Sequence, residues 1–545
     1  MPIPTKPGDV ATVDPQEASG APALGLSQKQ LKALIERRHP EYAEKQSHWS
    51  FLEDTYEGGR EWFKDNIFQY VKEGPQEYAD RVQRAYRFNH TREVVDLINK
   101  YLFRQNIVRR EDDAPESVKA FWKKSTRAGL GIKDFARQVS KAASIYGRVG
   151  VVIDNPTKEA PLTKADEKKA GIAPYAYIVG PQQLLDYAYD EHGNLEWILI
   201  LETKRDDDNP FTSSGAESFA YRLWTKYDWR LFEVKRDKNK KPIVVETESG
   251  IHNLGAVPVI LVDHIISDEP YCASAMIDDI AYLDRAVANY LSNLDAIIQD
   301  QTFSQLAMPA QNMMPGDVNY EKTKEMGTKR VFLYDGEGGA KPEYLSPDVK
   351  QAKLIVEVIV KIISEIYHTI GLAAERTQTD NTAGATGESS GVAKAFDFER
   401  VNALLAAKAD ALEVTENRIV RLVALWTGEE RAIEKLKRDL VLYPDDFDTR
   451  GLYDEFDIAA RLMLVSAPDG IRRQQMQAVT DKLFPQLGEA ERAKLLAELK
   501  SWPPELPDLA APSGKSAANA ASGQTRQIKE DAKNPKKAGQ GSVQD

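Results

Sequence analysis

From Val349 to Ile370 the chain carries charge on one stripe. Lys353, Glu357, Lys361 and Glu365 recur at every fourth residue, which is one narrow face of a helix. The positions between them include Leu354, Ile355, Val356, Val358, Ile359, Val360, Ile362, Ile363, Ile366 and Ile370. A helix with so thin a charged stripe must be buried on most sides. The fold therefore has to supply apolar neighbours around nearly all of it. One neighbour is predicted just upstream. Between Asp278 and Gln301, residues Ile280, Leu283, Val287, Tyr290, Leu294 and Ile297 step by three and four along a single helical stripe. Between these helices, Met308 to Pro347 holds Pro309, Pro315, Pro342 and Pro347, a strand pattern at Arg330–Tyr334 and the turn Asp335-Gly336-Glu337-Gly338-Gly339. It reads as a small β module inserted between two helices. After them, Gly371 to Gly391 is rich in Gly, Thr, Ser and Asn. A third helix is predicted from an N-cap at Ser389 or Ser390 to Trp426, with Phe398, Val401, Leu405, Leu412, Ile419, Leu422 and Trp426 on one seam. At about 1.5 Å per residue it spans on the order of 50 Å. Gly428 then fits a helix stop.

Length and composition bound the class. The chain has 545 residues, 42% hydrophobic and 29% charged, which is a globular composition with room for three or four structural units. No apolar run reaches the ~20 residues of a membrane span. The 349–370 run comes closest, and its four spaced charges argue against lipid. Met1 to Gly25 is rich in Pro, Ala, Gly and Thr without an apolar centre, so no secretory leader is expected there. The single cysteine, Cys272, excludes an internal disulfide framework and a cysteine-rich zinc site. Asn89-His90-Thr91 matches a glycosylation sequon and is read as chance. The net charge of −12 is opposite to that of proteins that hold nucleic acid by its phosphates. Such a chain can still touch DNA locally or surround it without gripping it.

In order, residues 1–26 are expected to be disordered. From Ser27 to about Asn106 the pattern is helical, with Trp49, Phe51, Leu52, Trp62, Phe63, Phe68 and Tyr70 as candidate core. Arg92–Phe103 adds a helix, and Pro115–Tyr146 two more around Gly129-x-Gly131. At Gly150 the pattern changes to short β-branched and aromatic runs: 149–153, 176–179, 195–202, 219–225, 229–234, 243–246 and 257–262. Turn signals such as His192-Gly193-Asn194 separate them, so an antiparallel β unit follows the helical one. Beyond Gly428, helices are expected at 431–438, 454–465, 470–484 and 489–499, with a short strand at 440–443. Pro503 to Asp545 is low in complexity and expected to be disordered.

The search for chemistry is largely negative. The seven histidines are scattered with no pair at i, i+4, which favours surface or satisfied core roles over a metal site. No serine elbow occurs, and Cys272 lacks a nucleophile's signature. Gly384-Ala385-Thr386-Gly387-Glu388-Ser389-Ser390-Gly391 precedes a helix but lacks the lysine of a phosphate loop, and Glu388 would repel phosphate. Asp446-x-Asp448-x-Arg450-Gly451 with Asp457 partly mimics a calcium loop, and Arg450 damages the match. Arg418, Arg421, Arg431, Lys435, Lys437 and Arg438 have acidic neighbours and read as a solvated face. No catalytic residue, metal ligand or cofactor is assigned, and no enzyme is expected.

The order of these parts, over about Glu41 to Leu499, resembles the portal (head-to-tail connector) proteins of tailed bacteriophages. The stretches that carry the resemblance are Arg81-x-x-Arg84-Ala85-Tyr86-x-x-Asn89, Val94-Val95-Asp96-Leu97-Ile98, Tyr101-Leu102-Phe103, and Ser144 through Asp154 at a helix-to-strand step. Gly180-Pro181-Gln182-Gln183-Leu184-Leu185-Asp186 follows before a hairpin. Asn253 through Ile260 leads toward the first long helix, and Ser389-Ser390-Gly391-Val392-Ala393 forms a small-residue step. The resemblance implies an α+β, portal-like fold: a disordered N-terminus at 1–26, a wing at 27–268, a first stem helix at 269–301 and a clip at 302–348. A second stem helix at 349–371, a tunnel loop at 372–391, a long wing helix at 392–427, a crown at 428–502 and a disordered tail at 503–545 complete it. The tail departs from shorter relatives.

Further, the resemblance implies a homo-oligomeric ring, usually of twelve subunits, at one capsid vertex of a virion assembled in a bacterial host's cytoplasm. Double-stranded DNA passes through its channel in packaging and ejection. The terminase large subunit and head-completion or tail adaptor proteins dock on it, and the major capsid or scaffold protein surrounds it. No membrane partner is implied. Arg376, Thr382, Gly384, Gly387, Ser389, Ser390, Gly391 and Lys394 would line the tunnel loop and channel. Ile355, Ile359, Ile363, Ile366, Leu283 and Leu294 would form the subunit interface of the stem, leaving the Lys353–Glu365 stripe to solvent or channel. Two other classes stay open: another structural virion or scaffold protein, and a nucleic-acid-processing enzyme, which the absence of an acidic triad with histidine or a phosphate loop disfavours.

Overall fold

The structure is a computed structural model that describes residues 25–71, 73–155, 173–207, 209–237, 240–302, 305–309, 331–334, 343–345, 349–371, 391–436, 438–445, 447, 468–483 and 489–500. They belong to two units, Met1–Asp448 and Thr449–Asp545. In the second, α12 (Asp469–Leu483) packs with α13 (Glu489–Lys500). The expected helix at 454–465 and both terminal segments, 1–24 and 501–545, lie outside the described residues.

The first unit opens on α1 (Gln28–Ile35), α2 (Pro40–Glu57), α3 (Trp62–Asn66), α4 (Pro75–Arg84) and α5 (His90–Leu102). Pro starts α2 and α4, where its missing N–H has no intrahelical partner to lose. The Asn89 side chain caps α5 by accepting from the Arg92 N–H at 2.9 Å. Trp49 and Leu52 of α2, and Val94, Val95, Ile98 and Leu102 of α5, are buried. Phe68 and Tyr70 are not core, contrary to the sequence expectation; they are 56% and 44% exposed. Arg81 takes the interior place instead. Its guanidinium donates to Glu73 and to the Phe68 carbonyl at 2.6 Å, and lies 4.4 Å from the Tyr70 ring centroid.

After β1 (Val108–Arg109), α6 (Glu116–Lys123) and α7 (Ile132–Tyr146), Gly147 turns the chain at φ +83° into β2 (Arg148–Asp154). A Cβ there would lie 2.0 Å from the Ala273 carbonyl oxygen, so only glycine fits. The strand β2 is buried nearly throughout, as its unbroken apolar run requires. It is the middle of an antiparallel sheet, between β3 (Tyr175–Val179) and β9 (Val259–Asp263), with Val151 facing Ile178 on one side and Ile260 on the other. A second sheet is an antiparallel meander of β4 (Leu184–Tyr189), β5 (Leu195–Arg205), β6 (Glu217–Thr225), β7 (Asp228–Arg236) and β8 (Pro242–Ile251). Sequence patterning anticipates this β unit but not β4, which it leaves as the approach to a hairpin. Gln28 closes the outer edge of β8 with its side-chain amide, donating to the Val244 carbonyl and accepting from the Val244 N–H.

The remaining elements are helical around a small sheet. They are α8 (Asp278–Thr302), β10 (Gln305–Pro309), β11 (Val331–Tyr334), β12 (Glu343–Leu345), α9 (Val349–Thr369), α10 (Gly391–Thr427), α11 (Glu430–Glu434) and β13 (Val441–Leu442). β10 pairs in parallel with β11 and antiparallel with β12, so a β module does join the two helices. α10 ends on Gly428 at φ +66°: the Gly428 N–H returns to Leu425 and the Glu429 N–H to Ala424, two otherwise orphaned carbonyls. The core runs from α5 and α7 through β2 to α8, α9 and α10. β13 pairs with β1 across more than three hundred residues of chain. Asn417 of α10 accepts from the Leu440 and Val441 N–H groups and donates to the Val441 carbonyl. The expected helix at 431–438 is shorter, only α11.

Candidate functional site

The two helices that organise the chain pack against each other, α8 beside α9. On α8 the interior face is Ile277, Ile280, Ala281, Val287, Ala288 and Leu291, with Asp284 and Ser292 buried among them. Asp284 and Ser292 each have a partner from α4 or α5. The Asp284 carboxylate accepts from the Thr91 N–H at 3.1 Å and from Thr91 Oγ1 at 2.8 Å, with Arg87 3.6 Å away. Ser292 accepts from Arg81 at 2.9 Å. These bonds fix the rotation of α8 about its axis, since a turn of one residue would bury the carboxylate unpaired.

On α9, Ile359, Ile366, Tyr367 and Ile370 are buried in this chain's own core, and Ile355, Ile362 and Ile363 pack half-buried against it. Tyr367 donates to Glu93 at 2.5 Å, which ties the end of the helix to α5. Leu283 of α8 packs against the same core, and Leu294 is half-buried. Five of the six residues expected at a subunit interface, Leu294 excepted, thus pack in this chain's own core; Ile359 and Ile366 keep 6% and 0% of their surface. The apolar residues that remain open flank the charged stripe, Leu354 at 61% exposure on one side of it and Val360 at 61% and Val356 at 44% on the other. Lys353, Glu357, Lys361 and Glu365 are exposed beside them. Sequence reasoning counted the apolar positions correctly but placed Ile355, Ile359, Ile363 and Ile366 at a contact between copies, where this chain's own core takes them.

Of the residues expected to line the channel, Gly391 is the first residue of α10 and Lys394 lies in its first turn. Arg376, Thr382, Gly384, Gly387, Ser389 and Ser390 fall outside the described residues, as do Asp446, Asp448 and Asp457. The segment departs from Gly371 at φ +76°, where a Cβ would stand 2.9 Å from that of Arg400.

α10 carries a second group that sequence reasoning missed. Lys408 is 2% exposed. Its Nζ donates to Ser144 Oγ at 2.7 Å and lies 2.9 Å from His264 Nδ1. Burial draws its pKa down to about 7, and burial followed by the neighbouring lysine holds His264 well below the ordinary imidazole range. The signal was present in the sequence: Lys408 stands between Leu405 and Leu412 on the buried seam. Further along, Glu416 is 2% exposed and receives Arg109 through both oxygens, at 2.6 and 3.0 Å, and the Tyr443 hydroxyl at 2.9 Å.

Burial raises the Cys272 thiol to about 12, so it is not held as a thiolate. Among the described residues no group of three His, Cys, Asp or Glu side chains is placed to hold a metal ion, and no helix is long and apolar enough to cross a membrane.

No protein-family model matches the chain, and no curated protein is similar to it. Solved chains from gene transfer agent particles are among those similar to it in structure. One comes from the neck of an empty gene transfer agent particle computed with C6 symmetry, at TM-score 0.35 and 12% identity over 80% of this chain and 96% of that one. The other comes from the virion of a native gene transfer agent particle, at TM-score 0.35 and 12% identity over 82% and 98%. At that TM-score the likeness is too distant to carry any inference about function.

Proposed function

We propose that this chain is a portal subunit: a structural, non-catalytic protein that forms a ring, of twelve copies in this reading, at one vertex of a phage-type capsid. The observation that carries the proposal is the outer face of α9. Its inner face is buried in its own chain, yet Leu354 on one flank of the charged stripe and Val356 and Val360 on the other remain open. Open apolar flanks beside a buried face need a further partner, which one chain does not supply. A second copy covers the outer face, and repetition of that contact by rotation closes a ring. The element order supports the same reading. Two long helices leave and return through the β10–β12 sheet, which would be the docking point for the terminase large subunit and later for head-completion or tail adaptors. Major capsid or scaffold protein would surround the ring, first in the host cytoplasm and then in the virion.

The charge balance fits a channel rather than a clamp. Duplex DNA carries about one charge per 1.7 Å of axis, and a protein of net charge −12 does not retain it by counterion release. Packaging and ejection both need such sliding. Negative-stain imaging of the purified full-length protein tests the proposal. The expected particle is a ring with a central channel and a mass about twelve times the 61.0 kDa of one chain. A population of single chains at micromolar concentration would overturn it.

A further inference from the structure

Where the end of α9, the early turns of α10 and the segment after β9 meet, an open cavity of about 220 Å³ is walled by His264, Met276, Thr369, Ile370, Arg400 and Leu404. Its polar lining is Arg400, which is exposed, with His264 and Thr369. Arg400 Nη1 lies 3.3 Å from His368 Nε2 and forms no ion pair among the described residues. Glu365, which is exposed, stands 3.9 Å from the other ring nitrogen of His368. Behind His264 is the buried ammonium of Lys408, bonded to Ser144 and His264 and reached by no carboxylate among the described residues.

The bonding fixes what the wall offers. An ammonium has donors only, so Lys408 makes His264 Nδ1 an acceptor and leaves the ring proton on Nε2. His264 therefore presents an N–H donor on the side away from Lys408, and that ring is part of the cavity wall. Arg400 adds a planar fork of donors suited to two oxygens at once. A buried ammonium without a counter-charge is unfavourable, and an anion in front of it offsets the deficit. In a chain of net charge −12, an Arg400 guanidinium with no ion pair among the described residues, on a wall backed by the buried Lys408, points to a ligand rather than to surface balance.

We propose that this cavity binds an oxyanion of the phosphate class, held by Arg400 and His264 with Lys408 as the buried charge behind them. The site lies within one chain and does not depend on the ring. Free inorganic phosphate and the phosphodiester of a nucleic-acid strand present the same group, and the cavity is open enough for either.

The test uses the full-length protein in chloride buffer at fixed ionic strength. Inorganic phosphate and, separately, a short DNA duplex are added while thermal unfolding and binding heat are followed. The variants are Arg400→Gln, Arg400→Lys and, as a control on the exposed stripe of α9, Lys361→Gln. Phosphate is expected to raise the unfolding midpoint of the parent and of Lys361→Gln. In Arg400→Gln its binding should weaken by roughly tenfold or more, with part of the loss recovered in Arg400→Lys. A shift that depends on Arg400 and appears with duplex but not with phosphate assigns the anion to a strand; the converse assigns it to a free ion. No shift with either probe, or equal shifts in the parent and Arg400→Gln, overturns the site.

Discussion

Replacing Lys408 with Met removes a buried charge while keeping a long unbranched side chain in its place. The folded lysine titrates near 7 rather than near its ordinary 10.5. Its folded pKa thus lies below its unfolded one, and between those two values the unfolded chain binds more protons. Stability should rise with pH across that window, by up to about 1.4 kcal/mol per pH unit. The penalty is complete below about pH 7 and absent above about pH 10.5; over the whole window it is on the order of 5 kcal/mol. Met forfeits part of this gain, because His264 Nδ1 loses its donor at about 1–3 kcal/mol. Ser144 keeps its bond to the Ser140 carbonyl at 2.7 Å. Lys408→Met should therefore be more stable than the parent at pH 7, by on the order of 2 kcal/mol. The advantage should shrink toward pH 9 and reverse by pH 10. Tyrosines held neutral by burial, Tyr146 and Tyr177 among them, weaken both proteins at alkaline pH and cancel in the difference. Denaturant unfolding of both proteins in phosphate-free buffer at several pH values reads this directly. A parent as stable as the variant at pH 7, with parallel pH curves, would refute the assignment of Lys408 as an uncompensated buried charge.

Three further outcomes follow from particular contacts. Glu416→Ala strands the Arg109 guanidinium and the Tyr443 hydroxyl, so denaturant unfolding should show a loss on the order of 3–5 kcal/mol; a loss below about 1 kcal/mol would mean that water replaces the carboxylate. Gly147→Ala drives a methyl group into the Ala273 carbonyl and forces a positive φ on alanine, so soluble yield and melting temperature should both fall; an unchanged melt would show that the α7–β2 turn relaxes freely. Shortening the segment from Thr377 to Thr386 to a two-residue link should leave particle size unchanged and impair packaging or retention of DNA; normal packaging would remove that segment from the mechanism.

The sequence carries the helices and most strands because their signals are periodic. The seam from Val401 to Trp426, the apolar run of β2 and the helix stop at Gly428 are local patterns with one physical reading. What it does not carry are choices settled between distant segments. Phe68 and Tyr70 look like core until Arg81 occupies that interior with its own salt bridge to Glu73. The pairing of β1 with β13 joins two short segments whose register is set by Asn417 on a third element, and no local pattern encodes it. On α9 the apolar count is legible but the direction of each face is not, because Ile359 and Leu354 look alike until α8 is in place. The basic cavity needs three separate elements, and only Lys408, at a seam position reserved for apolar residues, leaves a trace in the linear chain.

The central claim is that the outer face of α9 is a contact between copies. The direct measurement is particle mass by mass photometry for the parent, Val360→Asp and Ile366→Asp. Val360 is 61% exposed in one chain and Ile366 is 0% exposed. Val360→Asp should leave each chain folded, with a parent-like circular dichroism spectrum, while the ring mass collapses toward 61.0 kDa. Ile366→Asp should instead unfold the chain, since it buries a carboxylate with no partner. Rings of parental mass and stability in Val360→Asp would contradict the account and place the subunit contact elsewhere.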